Sequence, residues 1–213
     1  MRKPVSADQY LNKIKPVIRR TRFSQLKIDD IAKHMDISKV TLYKHFSSKD
    51  EIIEQVVEYG IQYLQQADTV VYDDSVSYID RFQKTFLESL IGVIYLSDLF
   101  LQDLKEFYPR LFEKISVAQQ NRIKNLQSFF QSGMDKKIFN RMHAALSLVQ
   151  DDATLRRIME PTFSIQWYDL TLKQAVMEFY RMKQYQVISP EYLDTVDDSV
   201  IEKEIIRILQ TIS

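Results

Sequence analysis

The chain has 213 residues, with 29 Lys+Arg balanced by 29 Asp+Glu, no cysteine, 3 glycines and 5 prolines. The missing cysteines exclude disulfides, thiolate catalysis and cysteine-ligated zinc, and so few glycines leave little from which to build a glycine-rich phosphate loop. Long stretches of helical periodicity with scarce Gly and Pro predict an all-α protein. No apolar stretch follows the N-terminal MRKPVSADQY, and the most apolar segment, 87–101, is too short to span a bilayer and carries Glu88 and Asp98. Neither a secretory signal nor contact with a membrane is expected, and the cytoplasm is the expected location.

In chain order, Ser6 and Gln9 can form a capping box for a first helix with Tyr10, Ile14 and Val17 as its buried stripe. Pro16 should kink or break that helix. In residues 27–51, KIDDIAKHMDISKVTLYKHFSSKDE, the three- and four-residue steps of Ile28, Ile31, Ala32 and Met35 predict a short helix. Asp36 interrupts it, Ile37 returns to the core, and Ser38 is a good N-cap for a second short helix to about Phe46. On that helix Leu42 and Phe46 point inward, leaving Lys39, Thr41, Tyr43, Lys44 and His45 outside. Such a face suits the major groove of DNA, where phosphates and base edges are reached together. A small helical hairpin with a solvated basic face has the same pattern.

Charge separates the two readings. Residues 1–49 hold 12 Lys+Arg against 4 Asp+Glu, net +8, and the remainder holds 17 against 25, net −8. A solvated basic face does not require an acidic remainder, whereas a nucleic-acid-binding part joined to a part of other function does show such asymmetry.

Beyond this segment, Ser47-Ser48 start a long helix with Ile52, Val56, Tyr59 and Tyr63 on one side. Tyr72-Asp73-Asp74-Ser75 is a polar break. The next helix carries Ile79, Phe82, Phe86, Leu90 and Val93. A helix from Ser97 or Asp98 should end near Tyr108-Pro109, and Pro109 suits the first turn of another, ended near Ser132 by Gly133. Residues 140–160 read as a helix stopped by Pro161. Two last helices follow, about 170–186 and 197–212, with Leu172, Val176 and Phe179 on one and Ile201, Ile205, Ile208 and Ile212 on the other. Ile206 and Leu209 widen the final apolar arc until it calls for two packing partners, so the last two helices are the candidate dimer interface, with ordinary packing inside one subunit as the alternative.

The run Ile31-Ala32, Ile37-Ser38-Lys39, Thr41-Leu42-Tyr43, His45-Phe46, Ser48-Lys49-Asp50-Glu51-Ile52 resembles the DNA-binding domain of TetR (tetracycline-repressor) family regulators over roughly residues 8–55. The resemblance implies an all-α homodimer. Residues 1–50 would be a three-helix domain containing a helix-turn-helix, and 51–213 a larger ligand-binding and dimerisation bundle, paired through its last two helices. Its partners would be double-stranded DNA at an inverted-repeat operator and a lipophilic or aromatic small-molecule effector. Arg22 and Asp36 stand where the family commonly has glycine, Leu26 where threonine is frequent, and Val40 where a small residue is frequent. Asp36 can still take a left-handed backbone at modest cost.

The expected DNA contacts are Lys27, Ser38, Lys39, Val40, Thr41, Tyr43, Lys44, His45 and Lys49. Lys39 and Lys44 can donate to guanine, and Val40 can touch a thymine methyl. By resemblance His45 and Lys49 hold phosphates, and Lys27 adds one beside the amides that start its helix. Phe82, Phe86, Phe129 and Trp167 are the expected pocket lining, although a bundle of this size needs most of its aromatics as core. Asp98, Asp103 or Glu178 could favour a cationic effector, unless they simply face solvent.

Two other readings compete with a ligand-responsive repressor. Catalysis has no support: His34, His45 and His143 lack metal-ligand spacing and no nucleophile motif appears, so neither cofactor nor metal is expected. A DNA-bound protein whose C-terminal helices dock a protein partner would share the same N-terminal residues.

Overall fold

The structure, a computed structural model, describes residues 7–160 and 165–211. Ser6, Pro161 and Ile212, to which the sequence assigns cap, stop and stripe roles, lie outside the described residues. Eleven helices are present there: α1 (Ala7–Ile18), α2 (Ile28–His34), α3 (Lys39–His45), α4 (Lys49–Thr69), α5 (Tyr78–Tyr95), α6 (Asp98–Phe107), α7 (Pro109–Asp135), α8 (Ala144–Met159), α9 (Leu172–Val187), α10 (Pro190–Leu193) and α11 (Ser199–Gln210). Three short 3₁₀ turns lie between them, and among the described residues the only extended pairing is an antiparallel bridge between Phe139 and Ile188. No single described helix is long and apolar enough to cross a membrane.

The chain forms two compact units, residues 1–63 with 95–118, and residues 64–94 with 119–213. The first contains the whole basic segment and, in addition, α6. In α1 the buried face is Tyr10, Leu11, Ile14 and Ile18, with Val17 half-buried. Pro16 does not break this helix; it sits in the last turn, and α1 ends two residues later. Ile31, Met35 and Leu42 are fully enclosed, as are Phe23, Phe46, Ile52, Ile53, Phe100 and Leu104 to within 1%.

The α2–α3 turn follows the expected chemistry. Asp36 has φ 55°, the Ile37 N–H reaches the Ala32 carbonyl at 3.0 Å and the Asp36 N–H the Lys33 carbonyl at 3.1 Å. This is a Schellman closure with aspartate in the place that favours glycine. Lys13 Nζ, 2.9 Å from the Asp36 carboxylate, braces it from α1. Ser38 then caps α3, its hydroxyl accepting the Thr41 N–H at 3.1 Å.

The second unit is built around aromatic contacts. Phe139 meets Phe129 at 5.4 Å and Phe82 at 6.3 Å, and Tyr180 meets Phe86 at 5.2 Å. Polar groups pin the helices in register. Asp198 Oδ1 accepts from the Tyr180 hydroxyl at 2.8 Å and from Gln184 Nε2 at 2.6 Å, while Gln83 Nε2 donates to the Tyr180 hydroxyl at 2.8 Å. Burial, together with Asp198, raises the Tyr180 pKa well above the usual phenol range, so the hydroxyl remains a donor. Between α8 and α9 the fully buried Lys183 ammonium donates to Ser147 at 2.7 Å and Gln186 at 2.8 Å and lies 2.9 Å from Asp151.

Several expected boundaries move, each for a local reason. Gly133 does not end α7. It lies inside the helix because a Cβ there would penetrate the Phe139 ring. The helix stops two residues beyond it, where Lys137 takes φ 60° and the Ile138 N–H closes onto the Gly133 carbonyl at 3.0 Å. The next helix starts at Ala144, not near Asn140, because residues 139–140 pair with the end of α9. Asn140 Nδ2 donates to the Ile188 carbonyl at 2.9 Å, and His143 Nδ1 provides the cap for α8. In the final helix Ile201, Ile205, Ile208 and Leu209 are buried in the unit's own core, while Ile206 is half-buried and Val200 exposed. Exposed apolar side chains lie on α8 and α9 (Leu146, Val149, Met182 and Tyr185), and also on α11 (Val200), on α7 (Ile123) and on the turn that carries Trp167 and Tyr168.

Because α7 packs Phe139 directly against the bare Cα of Gly133, Gly133→Ala is expected to lower the free energy of unfolding by about 1–3 kcal/mol despite alanine's better helix propensity. Urea denaturation of the purified variant measures this, as a lower midpoint with an unchanged slope. An unshifted midpoint would mean that the ring moves aside freely.

Candidate nucleic-acid interface

Leu42 is fully buried on α3, and Phe46, at its C-cap, is 1% exposed. With those two side chains fixed inward, the helical period turns Val40, Tyr43 and Lys44 outward, and Val40 and Tyr43 are 70% and 50% exposed. An apolar residue so exposed on a capped, well-anchored helix is available for contact. Lys39 also faces solvent, but its ammonium lies 2.9 Å from Asp29 at the start of α2. That pair, by hydrogen bond and charge, raises the Lys39 pKa. Exposed as it is, it contributes little to stability and can exchange for a stronger anion.

The other expected residues are placed less uniformly. Ser38 and Thr41 share a hydroxyl–hydroxyl hydrogen bond of 2.9 Å, so both serve the cap of α3. Lys27 is exposed at the N-cap of α2, and its backbone N–H is taken by the Asp30 carboxylate at 3.0 Å. His45 is half-buried with its ring edge-on to Tyr10 at 5.0 Å. Lys49 turns back into the protein: its ammonium donates to the Ser24 carbonyl at 2.8 Å and lies 5.1 Å from the Phe23 ring. Burial lowers the Lys49 pKa, with Asp103 and Asp50 acting in the opposite sense. Thus Lys39, Val40, Tyr43 and Lys44 share one exposed surface with Lys27 nearby in sequence, while His45 and Lys49 are engaged internally.

Sequence reasoning missed the group that organises this neighbourhood. Asp103 of α6 does not face solvent; it is 1% exposed. Its carboxylate accepts both the Ser24 N–H, at 2.9 Å, and the Ser24 hydroxyl. Arg22 pairs with Glu106 one turn along α6, and Phe23 meets Tyr108 at 6.4 Å. The 3₁₀ turn Phe23–Gln25 is therefore held to α6 on one side and to Lys49 on the other. The available signal was register, since Asp103 lies between Phe100 and Leu104 on the buried face of α6.

Of the residues expected to line an effector pocket, Phe82, Phe86 and Phe129 are buried at 3–5% exposure within the second unit. Trp167 is not with them. It is 79% exposed on the 3₁₀ turn Ile165–Tyr168, because that turn packs on α9 with its rings outward.

Residues 19–56 match the sequence profile of "Bacterial regulatory proteins, tetR family". The biofilm operon icaADBC HTH-type negative transcriptional regulator IcaR of Staphylococcus aureus (strain Newman) is 33% identical over 104 residues, 49% of this chain and 50% of that protein. An uncharacterized HTH-type transcriptional regulator of Bacillus subtilis, YvaF, is 29% identical over 93 residues, 43% of this chain and 48% of that protein. The chain thus spans about half the length of the curated relatives it matches. Among solved structures, the ketosteroid transcriptional regulator KstR2 of Mycobacterium tuberculosis superposes with a TM-score of 0.64 at 18% identity, over 87% of this chain and 97% of that one. AibR, solved in complex with isovaleryl coenzyme A and operator DNA, gives 0.60 at 14% identity, over 82% of this chain and 97% of that one. At such identities the structures establish a shared fold.

Removing the Asp103 carboxylate leaves two Ser24 donors without their buried acceptor. Asp103→Ala is expected to cost about 1–3 kcal/mol of stability and to speed hydrogen exchange at the Ser24 amide. Exchange mass spectrometry on peptides covering 22–26 reads the second effect, and unchanged protection there would show that the 3₁₀ turn does not depend on α6.

Proposed function

We propose that the chain is a member of the tetR family of bacterial regulatory proteins, whose profile residues 19–56 match, and on that premise that it is a dimeric, sequence-specific transcriptional repressor released from its operator by a small molecule. The observation that carries the reading is α3, a capped helix anchored by Leu42 and Phe46 that presents Lys39, Val40, Tyr43 and Lys44 together. Two such helices related by a two-fold axis suit adjacent major grooves of an inverted repeat. Lys39 and Lys44 donate to guanine edges, Val40 packs on a thymine methyl, and Tyr43 reaches groove edge or phosphate. Asp29 hands Lys39 over when DNA replaces it as the anion. Lys27 takes a phosphate beside the first amides of α2. Ser38 and Thr41 act through the cap, and His45 and Lys49 hold the domain together and reach phosphate only by leaving Tyr10 and Ser24. The site of action is the cytoplasm.

Dimerisation is assigned to the exposed apolar side chains of α8 and α9, which stand out together as Leu146, Val149, Met182 and Tyr185, whereas most of the apolar arc of α11 is buried in its own unit. The effector binds the second unit among Phe82, Phe86 and Phe129, whose aromatic walls suit a lipophilic or acyl compound. AibR, of the same fold, was crystallised with an acyl coenzyme A. Effector binding favours a subunit arrangement whose two reading helices no longer fit the operator, a population shift by differential affinity.

The direct test is selection of genomic DNA fragments by the purified protein at near-physiological salt. A short inverted repeat is the expected product, and retained DNA without common sequence would sink the proposal. Lys44→Ala should change the recovered consensus. Lys27→Ala should keep it while reducing the slope of log K against log salt by about 0.9. If the two variants behave alike, the division between reading and positioning is wrong. For the dimer, Val149→Glu combined with Met182→Glu should yield monomers in sedimentation velocity; persistence of the dimer would move the interface off α8 and α9.

A further inference from the structure

Lys15 stands apart from the other cations of the basic segment. It lies on α1 with only 8% exposure, and its ammonium rests 2.9 Å from the ring centroid of Tyr59 and 5.7 Å from that of Tyr95. Tyr63, one turn beyond Tyr59 on α4, meets Tyr95 edge-on at 6.3 Å. Phe100 of α6 contributes to the floor, and a void of about 20 Å³ remains beside the ammonium. Room for one water is all that this space offers with Lys15 in place. Tyr59 and Tyr95 are 40% and 37% exposed, so the enclosure opens to solvent at their edges.

Two tyrosine rings at a cation, with a third in the same lining, resemble the arrangement by which proteins hold methylated ammonium groups, through attraction of positive charge to the ring faces. We propose that this enclosure in the first unit is a binding site for small quaternary ammonium ions, and that Lys15 is its tethered internal occupant. A primary ammonium is a poor permanent tenant. It has three N–H donors, and Asn12 Oδ1, at 2.8 Å, is the acceptor it reaches here. Burial accordingly lowers the Lys15 pKa to about 8, with Asp8 only partly opposing the shift. Swinging out into water restores full hydration to the Lys15 ammonium. A tetraalkylammonium has no N–H donors to leave unsatisfied and loses less hydration on entry, while its charge still meets the same rings. The departing butylammonium arm supplies the volume that the small void lacks.

The site is independent of the operator-binding reading, although the exchange would remove a link between α1 and α4 in the unit that contains α3. The probe is tetramethylammonium, titrated against the full chain by saturation-transfer NMR. Neopentyl alcohol serves as an uncharged analogue of similar shape. Removing the internal competitor should tighten binding, so Lys15→Ala is expected to bind tetramethylammonium at least about tenfold more tightly than the natural chain. Adding Tyr59→Leu to Lys15→Ala should abolish that gain, with the melting temperature of each variant confirming that it folds. Neopentyl alcohol should bind Lys15→Ala at least about tenfold more weakly than the cation does, because it lacks the charge that the rings attract. The assignment is overturned if Lys15→Ala binds no better than the natural chain, if Tyr59→Leu leaves the affinity unchanged, or if the neutral analogue binds equally well.

Discussion

The buried carboxylate of Asp103 is the constraint on which the first unit depends. A carboxylate at 1% exposure is costly unless its oxygens are occupied, and Ser24 occupies both, one through its N–H and one through its hydroxyl. The Ser24 carbonyl in turn takes Lys49, the first residue of α4. One short turn thus joins α6 to the start of α4, and α2 and α3 lie in the chain between that turn and α4. This is why residues 95–118 belong to the same compact unit as the basic segment although they lie far from it in sequence.

The same bonds reduce the charge that the segment offers to a polyanion. Its net of +8 is a count of side chains, but Lys13 is matched by Asp36, Lys39 by Asp29 and Arg22 by Glu106. Lys15 lies among tyrosines and Lys49 is bonded to a carbonyl. Lys27, Lys33 and Lys44 remain exposed without such a partner among the described contacts. Exposed pairs such as Lys39–Asp29 are weak and yield to a phosphate or a guanine, whereas withdrawing Lys49 would expose the Ser24 carbonyl and disturb the turn. Positions that look alike in a motif therefore differ in the energy needed to present them.

What was legible in the sequence was the part governed by neighbouring residues. The Ile31–Ala32–Met35 step, the left-handed turn at Asp36, the Ser38 cap and the inward Leu42 and Phe46 all follow from interactions spanning six residues or fewer, and all stand in the structure. The all-helical class followed from composition for the same reason. The misses involve partners distant in sequence or a residue acting against its statistics. Gly133 looks like a helix end, yet it serves a close approach by Phe139, and the helix ends on Lys137, a residue with no preference for φ 60°. Asp103 needed Ser24, 79 positions away, to be recognisable as buried. Trp167 has the composition of a pocket residue, but its four-residue turn leaves the ring outside.

The second unit shows how an apolar arc divides between core and surface. Breadth alone made the final helix a candidate for pairing with another subunit, but breadth measures only how much must be covered. In α11 Ile201, Ile205, Ile208 and Leu209 are covered at home, and the Asp198 carboxylate just ahead of the helix is tied to Tyr180 and Gln184 of α9 and fixes it onto its own core. On α8 and α9 the opposite holds. The Lys183 ammonium and the Asp151 carboxylate lock these two helices together from the inside, so Leu146, Val149, Met182 and Tyr185 cannot rotate inward to hide. A buried ion pair contributes little net stability when set against a well-packed apolar pair, but it does discriminate between registers, because any other rotation of α9 would leave a charge buried alone. Here it holds outward a set of apolar side chains on two adjacent helices in one fixed arrangement, and fixed presentation is what the proposed symmetric contact between identical subunits requires.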